Sequence, residues 1–180
     1  LALADAVRRW VEARGTVAAA RDLLEAERDA PPPFQAEMAE IGWVGLAVSE
    51  SNGGSGVGVA ELAVVLEELG RGCTPGPFLP TAAAAIAIDR WAGPDAAKVL
   101  EPLLDGRATA GFGLRPGGPV TGGAIAEWFV LPVADDGGRW SWALVARDAA
   151  DVRELPSFDP TRRLAEVTVT GEPVATLGCE

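Results

Sequence analysis

Residues 34–78 read FQAEMAEIGWVGLAVSESNGGSGVGVAELAVVLEELGRGCTPGPF, and this stretch contains three consecutive units. A short helix is predicted first, because Phe34, Met38 and Ile41 recur at helical spacing. An extended apolar run follows over residues 43–48, and a glycine-rich loop over residues 49–58. The last unit is an amphipathic helix, and its inward positions are Leu62, Val65, Leu66 and Leu69.

The glycine loop imitates a dinucleotide-binding turn, since a strand-like run precedes it and a helix follows it. Gly54, Gly56 and Gly58 give G-x-G-x-G, but Val59 occupies the last position of the fingerprint. No acidic residue stands at the right distance after a second strand to hold a ribose. We therefore favour a surface loop, in which glycines permit positive φ and close backbone contacts, over a phosphate cradle.

The composition of the chain excludes several kinds of binding partner and of catalytic or metal site. The net charge of −11 argues against nucleic-acid binding, and no apolar run reaches the ~18 residues of a membrane span. The chain has no His, which excludes Ser-His-Asp catalysis and histidine metal sites within it; no metal site is predicted. Cys73 and Cys179 are too few for a disulfide framework, so a reduced, cytoplasmic protein is expected.

The whole chain divides into a helical part and a strand-rich part. Further helices are predicted over residues 3–11, 17–30 and 79–91 and from Pro94 onward, with Pro102 breaking the last one into two pieces. Beyond Gly106, strands are predicted over residues 108–114, 128–133, 140–146 and 164–170, with a hairpin connection at residues 135–138. Helices and strands in separate blocks predict an α+β protein of two domains rather than an alternating sheet.

The motifs of the opening stretch resemble those of the acyl-CoA dehydrogenase family. They are GWVGLAV at residues 42–48, Glu50, GGSG at residues 53–56 and LEELGR at residues 66–71, in the family's order. Two positions depart from the family pattern: Ser49 stands where proline is usual, and Asn52 where an aromatic residue is usual. Farther along, residues 126–131 are similar to the strand after the family's flavin-contact region, and residues 157–164 to the turn before the last barrel strands.

The resemblance implies an N-terminal all-α helical bundle over residues 1–106 and an incomplete antiparallel β-barrel over residues 107–180. The family's C-terminal four-helix domain is not represented in this chain. The implied cofactor is FAD, and the implied reaction is the α,β-dehydrogenation of an acyl-CoA thioester. The base that takes the α-proton is a glutamate of the C-terminal domain, so no catalytic residue is assigned here. Glu67 and Glu68 are expected on a solvated helix face.

The family's acyl-pocket helix corresponds to the segment that contains Leu79, Ala82, Ala83 and Ala84. Small side chains on such a helix would leave room for a bulky, sterol-derived acyl group. Close packing of the helix against its neighbours explains the alanines equally well.

The family's flavin-contacting Thr-Glu-Pro loop corresponds to Leu114, Arg115 and Pro116. Leucine cannot donate the hydrogen bond that threonine would, and arginine reverses the charge of glutamate. The hairpin that carries the family's flavin tryptophan is expected to be missing between residues 119 and 124, and Trp128 is interpreted as a core residue. A degenerate barrel and a sequence joined across missing residues both account for this gap.

Two functions follow from these implications, and an unrelated small α+β binding protein is a residual third option. In the first, the chain is a flavin-dependent acyl-CoA dehydrogenase or a subunit of one, like the heteromeric members of steroid degradation in which unlike chains share the flavin sites. In the second, it is a non-catalytic structural subunit that completes a partner's site. Both predict a homo- or hetero-oligomer with another acyl-CoA dehydrogenase chain. FAD would then be bound mainly through the partner or not at all.

Overall fold

The computed structural model describes residues 2–25, 34–93, 96–134 and 137–178. Its α-helices are α1 (Ala2–Arg14), α2 (Thr16–Glu25), α3 (Gln35–Glu40), α4 (Val59–Arg71), α5 (Phe78–Trp91) and α6 (Leu100–Leu104). Its strands are β1 (Ala110–Gly113), β2 (Val120–Thr121), β3 (Trp128–Ala134), β4 (Trp140–Ala146), β5 (Ala150–Glu154), β6 (Ala165–Val169) and β7 (Ala175–Leu177). The predicted α+β class, with helices before strands, is confirmed. Pro94 and the end of the second predicted helix lie outside the described residues.

Helices α1 and α4 form the centre of the helical part. Val7 and Val11 of α1 share one buried cluster with the apolar stripe of α4, namely Leu62, Val65 and Leu69. Beside this cluster, Trp10 packs edge-on against Phe34 and Trp43, with ring centroids 5.5 and 5.2 Å away. The helical spacing in the sequence therefore identifies the residues that hold the two helices together.

Residues 43–48 do not form the extended run that the sequence predicts; they form successive turns. The N–H of Leu46 donates to the carbonyl of Trp43 over 3.4 Å, and that of Val48 to Gly45 over 3.2 Å. The chain enters these turns through Gly42, whose φ is 87°. Most of their apolar side chains are buried, so the apolar composition reflects burial and not strand periodicity.

The seven strands form one mixed sheet in the order β5-β6-β2-β1-β3-β4-β7. The expected antiparallel arrangement is found for every described pairing except one, because β1 runs parallel to β3 with Ala110 opposite Trp128. Residues 114–127, which include β2, supply the crossover that a parallel pair requires. Strands β3 and β4 pair antiparallel along their length, as a hairpin requires, and residues 135 and 136 of the predicted connection lie outside the described residues.

The sequence analysis missed three short strands, β2, β5 and β7. Strand β2 has two residues, and β7 has three, so neither is long enough to show alternation. Strand β5 reads ADVRE and lies at one end of the sheet order, where charged side chains meet solvent. Short or edge strands therefore account for every strand that periodicity did not reveal.

Helix α5 joins the helices to the sheet. Ala84, Ala85 and Ile88 lie in one buried cluster with Val130 of β3 and Leu144 of β4. The other face of the sheet has its own buried cluster, which includes Phe129, Leu131 and Val145. Both faces of the central strands are thus covered. The division into domains at residue 106 stays a prediction.

The segment around Pro102 forms two helical pieces, as the sequence predicts, but they meet between residues 99 and 100 and not at the proline. A 3₁₀ turn over Ala97–Val99 leads into α6, and Pro102 is the third residue of that helix. A proline is tolerated in the first turn, because the N–H groups there have no partner within the helix. The carbonyl of Pro102 accepts a 2.8 Å hydrogen bond from Ala108, which turns the chain toward β1.

Candidate functional site

Helix α5, the predicted pocket helix, is fixed to the sheet at its first turn. The hydroxyl of Thr81 is buried and accepts a 3.2 Å hydrogen bond from the backbone N–H of Ala110. Gly122 passes so close that a Cβ there would lie 3.0 Å from Cγ of Pro80 and 3.1 Å from Cβ of Pro77. Glycine at position 122 also has a φ of 73°. The start of α5 therefore cannot move independently of β1 and the residues after β2.

The four predicted pocket residues divide into two pairs. Ala82 and Ala84 are both 0% exposed, Ala82 within the helical cluster and Ala84 within the cluster shared with the sheet. Leu79 is 51% exposed, and Ala83 is half-buried. Ala82 and Ala84 thus fit close packing, whereas only Leu79 and Ala83 lie on the side of α5 from which a ligand could approach. A role in binding acyl groups stays a prediction for both.

Within residues 53–58, the glycine loop offers no free backbone N–H group to a phosphate. The N–H groups of residues 53–58 donate to backbone carbonyls of residues 45–50, including Gly54 to Ser49 over 3.0 Å and Gly56 to Val48 over 2.8 Å. A Cβ at Gly54 would lie 2.2 Å from the carbonyl oxygen of Val48. The loop therefore uses its glycines for close backbone contacts, as the sequence predicts.

The loop is also fixed to α5 by a carboxylate that the sequence analysis did not identify. Asp89 accepts hydrogen bonds from the N–H of Ser49 (3.1 Å), from its hydroxyl (2.6 Å) and from the amide of Asn52 (2.8 Å). Burial raises the pKa of Asp89, but these hydrogen bonds outweigh it and the pKa is lowered. In the sequence, the polar residues Ser49 and Asn52 stand at two positions that depart from the family pattern. This departure is the signal from which the tie to Asp89 could have been predicted.

Glu68 corrects the prediction of a solvated carboxylate face on α4. It is 5% exposed, and Nη2 and Nε of Arg8 donate to its two oxygens over 2.8 and 3.1 Å. The hydrogen bonds from Arg8 lower the pKa of Glu68 despite its burial. Glu67 is exposed as predicted and pairs with Arg71 over 2.7 Å. Glu68 is thus stabilised in its ionised form as a tie between α1 and α4, which makes it a weaker base.

The loop that the resemblance aligns with the Thr-Glu-Pro contact is a solvent-exposed hairpin loop between β1 and β2. Leu114 is 76% exposed, and Arg115 and Pro116 are also exposed. The carbonyl of Arg115 accepts from the N–H of Gly118 over 3.0 Å, which closes a turn. Neither Leu114 nor Pro116 has a side-chain donor, and Arg115 carries positive charge. These side chains do not fit the flavin contact made by threonine and glutamate.

Between residues 119 and 124, where no hairpin is expected, the structure contains strand β2. Thr121 lies opposite Phe112 of β1, and Val120 lies opposite Ala165 of β6. β2 links β1 to β6 directly, so the sheet is continuous without a longer hairpin. Trp128 packs partly buried against the cluster shared by α5 and the sheet, which agrees with its interpretation as a core residue.

The SFDPTRRL segment forms the turn before β6, as the resemblance implies. The side chain of Asp159 caps a 3₁₀ turn over Pro160–Arg162 by accepting from the N–H of Thr161. The carbonyl of Thr161 accepts from Gly76 over 3.3 Å, and that of Arg162 from Gly122 over 3.1 Å. This turn therefore holds the proline-rich segment before α5 against the sheet.

The four described ranges contain neither a metal-binding cluster nor a membrane-spanning helix. No group of three or more His, Cys, Asp or Glu side chains there could hold a metal ion. None of the described helices has the length and apolar character that crossing a bilayer requires. Cys73 is exposed and has a φ of 48°, and Cys179 lies outside the described residues.

Comparisons with known sequences agree on one family. Residues 1–107 match the family model "Acyl-CoA dehydrogenase, N-terminal domain". The chain is 34% identical over 128 residues to acyl-CoA dehydrogenase IpdE2 of Mycobacterium tuberculosis, a match that covers 71% of this chain and 37% of IpdE2. It is 30% identical over 195 residues to acyl-CoA dehydrogenase FadE34 of the same organism, which covers 96% of this chain and 26% of FadE34. The chain thus spans well under half the length of these two relatives.

Solved structures share the fold over nearly the whole chain. The Tcur3481-Tcur3483 steroid ACAD G363A variant gives a TM-score of 0.83 at 23% identity, and covers 98% of this chain and 56% of that chain. The ChsE4-ChsE5 complex from Mycobacterium tuberculosis gives a TM-score of 0.79 at 23% identity, and the match again covers 98% of this chain and 56% of that chain. At these identities the likeness shows a common architecture of helices and sheet.

Proposed function

The chain belongs to the acyl-CoA dehydrogenase family, and we propose that it acts as a subunit of a flavin-dependent acyl-CoA dehydrogenase whose active site a second chain completes. The reaction would be the α,β-dehydrogenation of an acyl-CoA thioester in lipid metabolism. The proposed assembly is an oligomer with itself or with another chain of the family. Two structural relatives, a steroid ACAD variant and a two-protein complex, support this arrangement.

The observation that carries the proposal is the loop at Leu114, Arg115 and Pro116. FAD would supply the hydride acceptor in this family. The loop, however, has no side chain that reproduces the threonine and glutamate contacts, and Leu114 extends into solvent. We therefore assign the main flavin contacts to the partner chain and derive no step from flavin bound by this loop.

The proton acceptor is also assigned outside the described residues. Glu68 is held by Arg8, Glu37 by Arg14 and Trp10, and Asp89 by the glycine loop. A carboxylate that is stabilised in its ionised form by such bonds is a weaker base. The described carboxylates with strong partners are thus structural, and the reaction requires a base from another part of the assembly.

The contribution of this chain to substrate binding would be the open side of α5. Ala83 projects no more than a methyl group there, and Leu79 offers exposed apolar surface. A small residue beside an exposed leucine leaves space for a wide acyl group. We propose bulky, sterol-derived CoA esters as the substrate class, in line with a structural relative that is a steroid ACAD.

A second function is a non-catalytic structural subunit, and Arg115 favours it. Its positive charge replaces the glutamate of the family loop, and such a reversal is compatible with a chain that has lost its flavin site. Under this function the chain would stabilise a partner and shape the partner's acyl pocket. A cytoplasmic location is proposed for either function from the low cysteine count.

The test is dehydrogenase activity of the chain alone and of the chain copurified with another acyl-CoA dehydrogenase chain. Reduction of an artificial electron acceptor would be followed with a straight-chain CoA ester and with a sterol-derived CoA ester. We expect no turnover by the chain alone, and turnover by the pair with preference for the bulky ester. Turnover by the chain alone would overturn the need for a partner, and equal turnover by the partner alone would favour the structural role.

A further inference from the structure

A cavity lies between the end of α2 and the connection from β5 to β6, which contains the turn Pro160–Arg162. Its volume is ≈ 520 Å³, which is within the ~300–1,000 Å³ typical of small-molecule sites. We call it the Arg163 cavity. Its described lining contains no residue of α5, so it is separate from the proposed substrate side of that helix.

Four leucines line the Arg163 cavity. Leu23 and Leu24 belong to α2, whereas Leu155 and Leu164 flank the connection between the two strands. Leu24 is 57% exposed, and the other three are half-buried. Covering such surface is favourable in proportion to the apolar area removed from water. An aliphatic group placed among these leucines would therefore be stabilised there.

Arg163 has an unfavourable backbone conformation at the edge of the cavity. Its φ is 46°, in the left-handed region that non-glycine residues rarely adopt. Backbone hydrogen bonds fix the chain here, because the N–H of Ala124 donates to the carbonyl of Arg163 over 3.2 Å and the N–H of Leu155 to Leu164 over 2.9 Å. Glycine would adopt this φ without strain. An arginine at such a position therefore indicates a use for its side chain.

The guanidinium of Arg163 has more donors than partners. The side chain is 11% exposed, and its Nη1 donates to Oε1 of Glu154 over a long 3.4 Å. Among the described residues, Nε and Nη2 of Arg163 have no partner. A largely buried guanidinium in this state is costly, because it has lost water and gained one weak hydrogen bond. The two oxygens of a carboxylate would supply the missing acceptors.

Glu154 and Ser157 are the other polar side chains of the cavity. A carboxylate has about four lone-pair sites, so Glu154 can accept from a ligand cation in addition to Arg163. Oγ of Ser157 accepts from the N–H of Asp159 over 3.1 Å, which leaves its hydroxyl hydrogen for a ligand oxygen. The cavity thus presents a positive and a negative group side by side, next to apolar surface.

We propose that the Arg163 cavity binds an apolar α-amino acid as its zwitterion. The carboxylate of the ligand pairs with Arg163, its ammonium with Glu154, and its side chain covers the leucines. The two ligand charges are attached to one carbon atom, which suits protein charges that lie 3.4 Å apart. A simple carboxylic acid is disfavoured, because it would face Glu154 without a compensating positive charge. This site goes beyond the proposed function, since its ligand would bind whether or not the chain takes part in dehydrogenation.

The test compares L-leucine, N-acetyl-L-leucine and L-leucinol by isothermal titration calorimetry on the whole chain. All three carry the same isobutyl group, but N-acetyl-L-leucine lacks the ammonium and L-leucinol lacks the carboxylate. We expect L-leucine to bind at least about tenfold more tightly than either, because only it pairs with both Arg163 and Glu154. Glu154→Gln should lower the affinity for L-leucine by at least about tenfold and should not weaken binding of N-acetyl-L-leucine.

Arg163→Gly is the most direct variant, because it removes the guanidinium and suits the φ of 46°. It should abolish binding of L-leucine and retain a cooperative thermal transition. Cys73→Gly is the matched control, because Cys73 has a φ of 48° and is not part of the described cavity lining. This control should bind L-leucine like the wild type.

A second variant keeps the test informative if Arg163→Gly disturbs the connection between β5 and β6. Leu24→Asp places a negative charge on the apolar wall and should abolish binding of L-leucine. Val57→Asp, at a position of the glycine loop that is 54% exposed, should not affect it. The proposal is overturned if L-leucine does not bind the wild type, if either analogue binds as tightly, or if Leu24→Asp or a folded Arg163→Gly binds as the wild type does.

Discussion

The hydroxyl of Ser49 donates a 2.6 Å hydrogen bond to Oδ1 of Asp89, and the N–H of Ser49 donates over 3.1 Å to Oδ2. Asn52 adds a third donor at 2.8 Å. Asp89 lies in the last turn of α5, where the helix dipole disfavours negative charge. The hydrogen bonds that the glycine loop donates to Asp89 offset this unfavourable interaction between its charge and the helix dipole. Ser49 and Asn52 thus have a shared structural purpose, and both are residues that depart from the family pattern.

Asp89→Asn is predicted to destabilise the chain at neutral pH and to have little effect in acid. The folded-state pKa of Asp89 is lowered, so its ionised form stabilises the fold at neutral pH, and this contribution is lost as pH falls below about 4 through that pKa. The measurement is urea unfolding of wild type and variant from about pH 7 to pH 3. The difference in the free energy of unfolding between wild type and variant should become smaller in acid. A difference that stays constant over this pH range would contradict the role of the charge.

Gly72→Ala is predicted to destabilise the contact between the end of α4 and the α1–α2 corner. A Cβ at Gly72 would lie 2.2 Å from Cγ1 of Val11 and 2.9 Å from Oγ1 of Thr16. Overpacking of this kind costs about 1–3 kcal/mol. The control is Gly70→Ala, because Gly70 lies within α4 and its Cβ would meet nothing within 4 Å.

Gly70→Ala should stabilise the chain by about 0.5–1 kcal/mol, as expected for glycine replaced within a helix. Thermal unfolding of the two variants gives the comparison. Equal effects of the same sign would show that the close approach at Gly72 is not what constrains that position.

Arg8→Gln is predicted to lower thermal stability, because it leaves the carboxylate of Glu68 buried without its main partner. Arg9→Gln, at the exposed neighbouring arginine, should have a much smaller effect. Adding Glu68→Gln to Arg8→Gln should restore part of the loss, because the unpaired charge is then removed. A double variant less stable than Arg8→Gln would argue that Glu68 is stabilised by other contacts.

Ala83→Leu and Ala84→Leu are predicted to act in different ways, although the residues are adjacent. Ala84 is 0% exposed, so leucine there should cost about 1–3 kcal/mol through overpacking. Ala83 is half-buried, so leucine should be tolerated in the fold but should obstruct the open side of α5. In the reconstituted complex, Ala83→Leu should reduce turnover of a sterol-derived ester more than that of a straight-chain ester. An equal reduction would remove the pocket role.

Helical spacing and motif order were enough to predict the helices and the family. The α4 stripe of Leu62, Val65 and Leu69 is visible because an amphipathic helix repeats its apolar positions. The turns at residues 43–48 were mistaken for an extended run, because a short buried apolar segment has no period that distinguishes turns from a strand. The parallel pairing of β1 with β3 depends on contacts far apart in sequence, which local patterns do not contain.

The site was less predictable than the fold. Glu68 looks like its exposed neighbour Glu67 in the sequence, and only the position of Arg8, sixty residues earlier, buries it as an ion pair. Ala82 and Ala84 look the same as Ala83, but the helix directs them into two different cores. The tie between Asp89 and the glycine loop likewise joins residues that no local motif connects.

The most direct test of the central claim, that this chain relies on a partner for its flavin, is the visible spectrum of the purified chain. The chain should be colourless when expressed alone, because Leu114 and Arg115 do not reproduce the flavin contacts. Copurified with a partner chain, the complex should show flavin absorbance. A yellow preparation of the chain alone, with flavin near one per chain, would contradict the account.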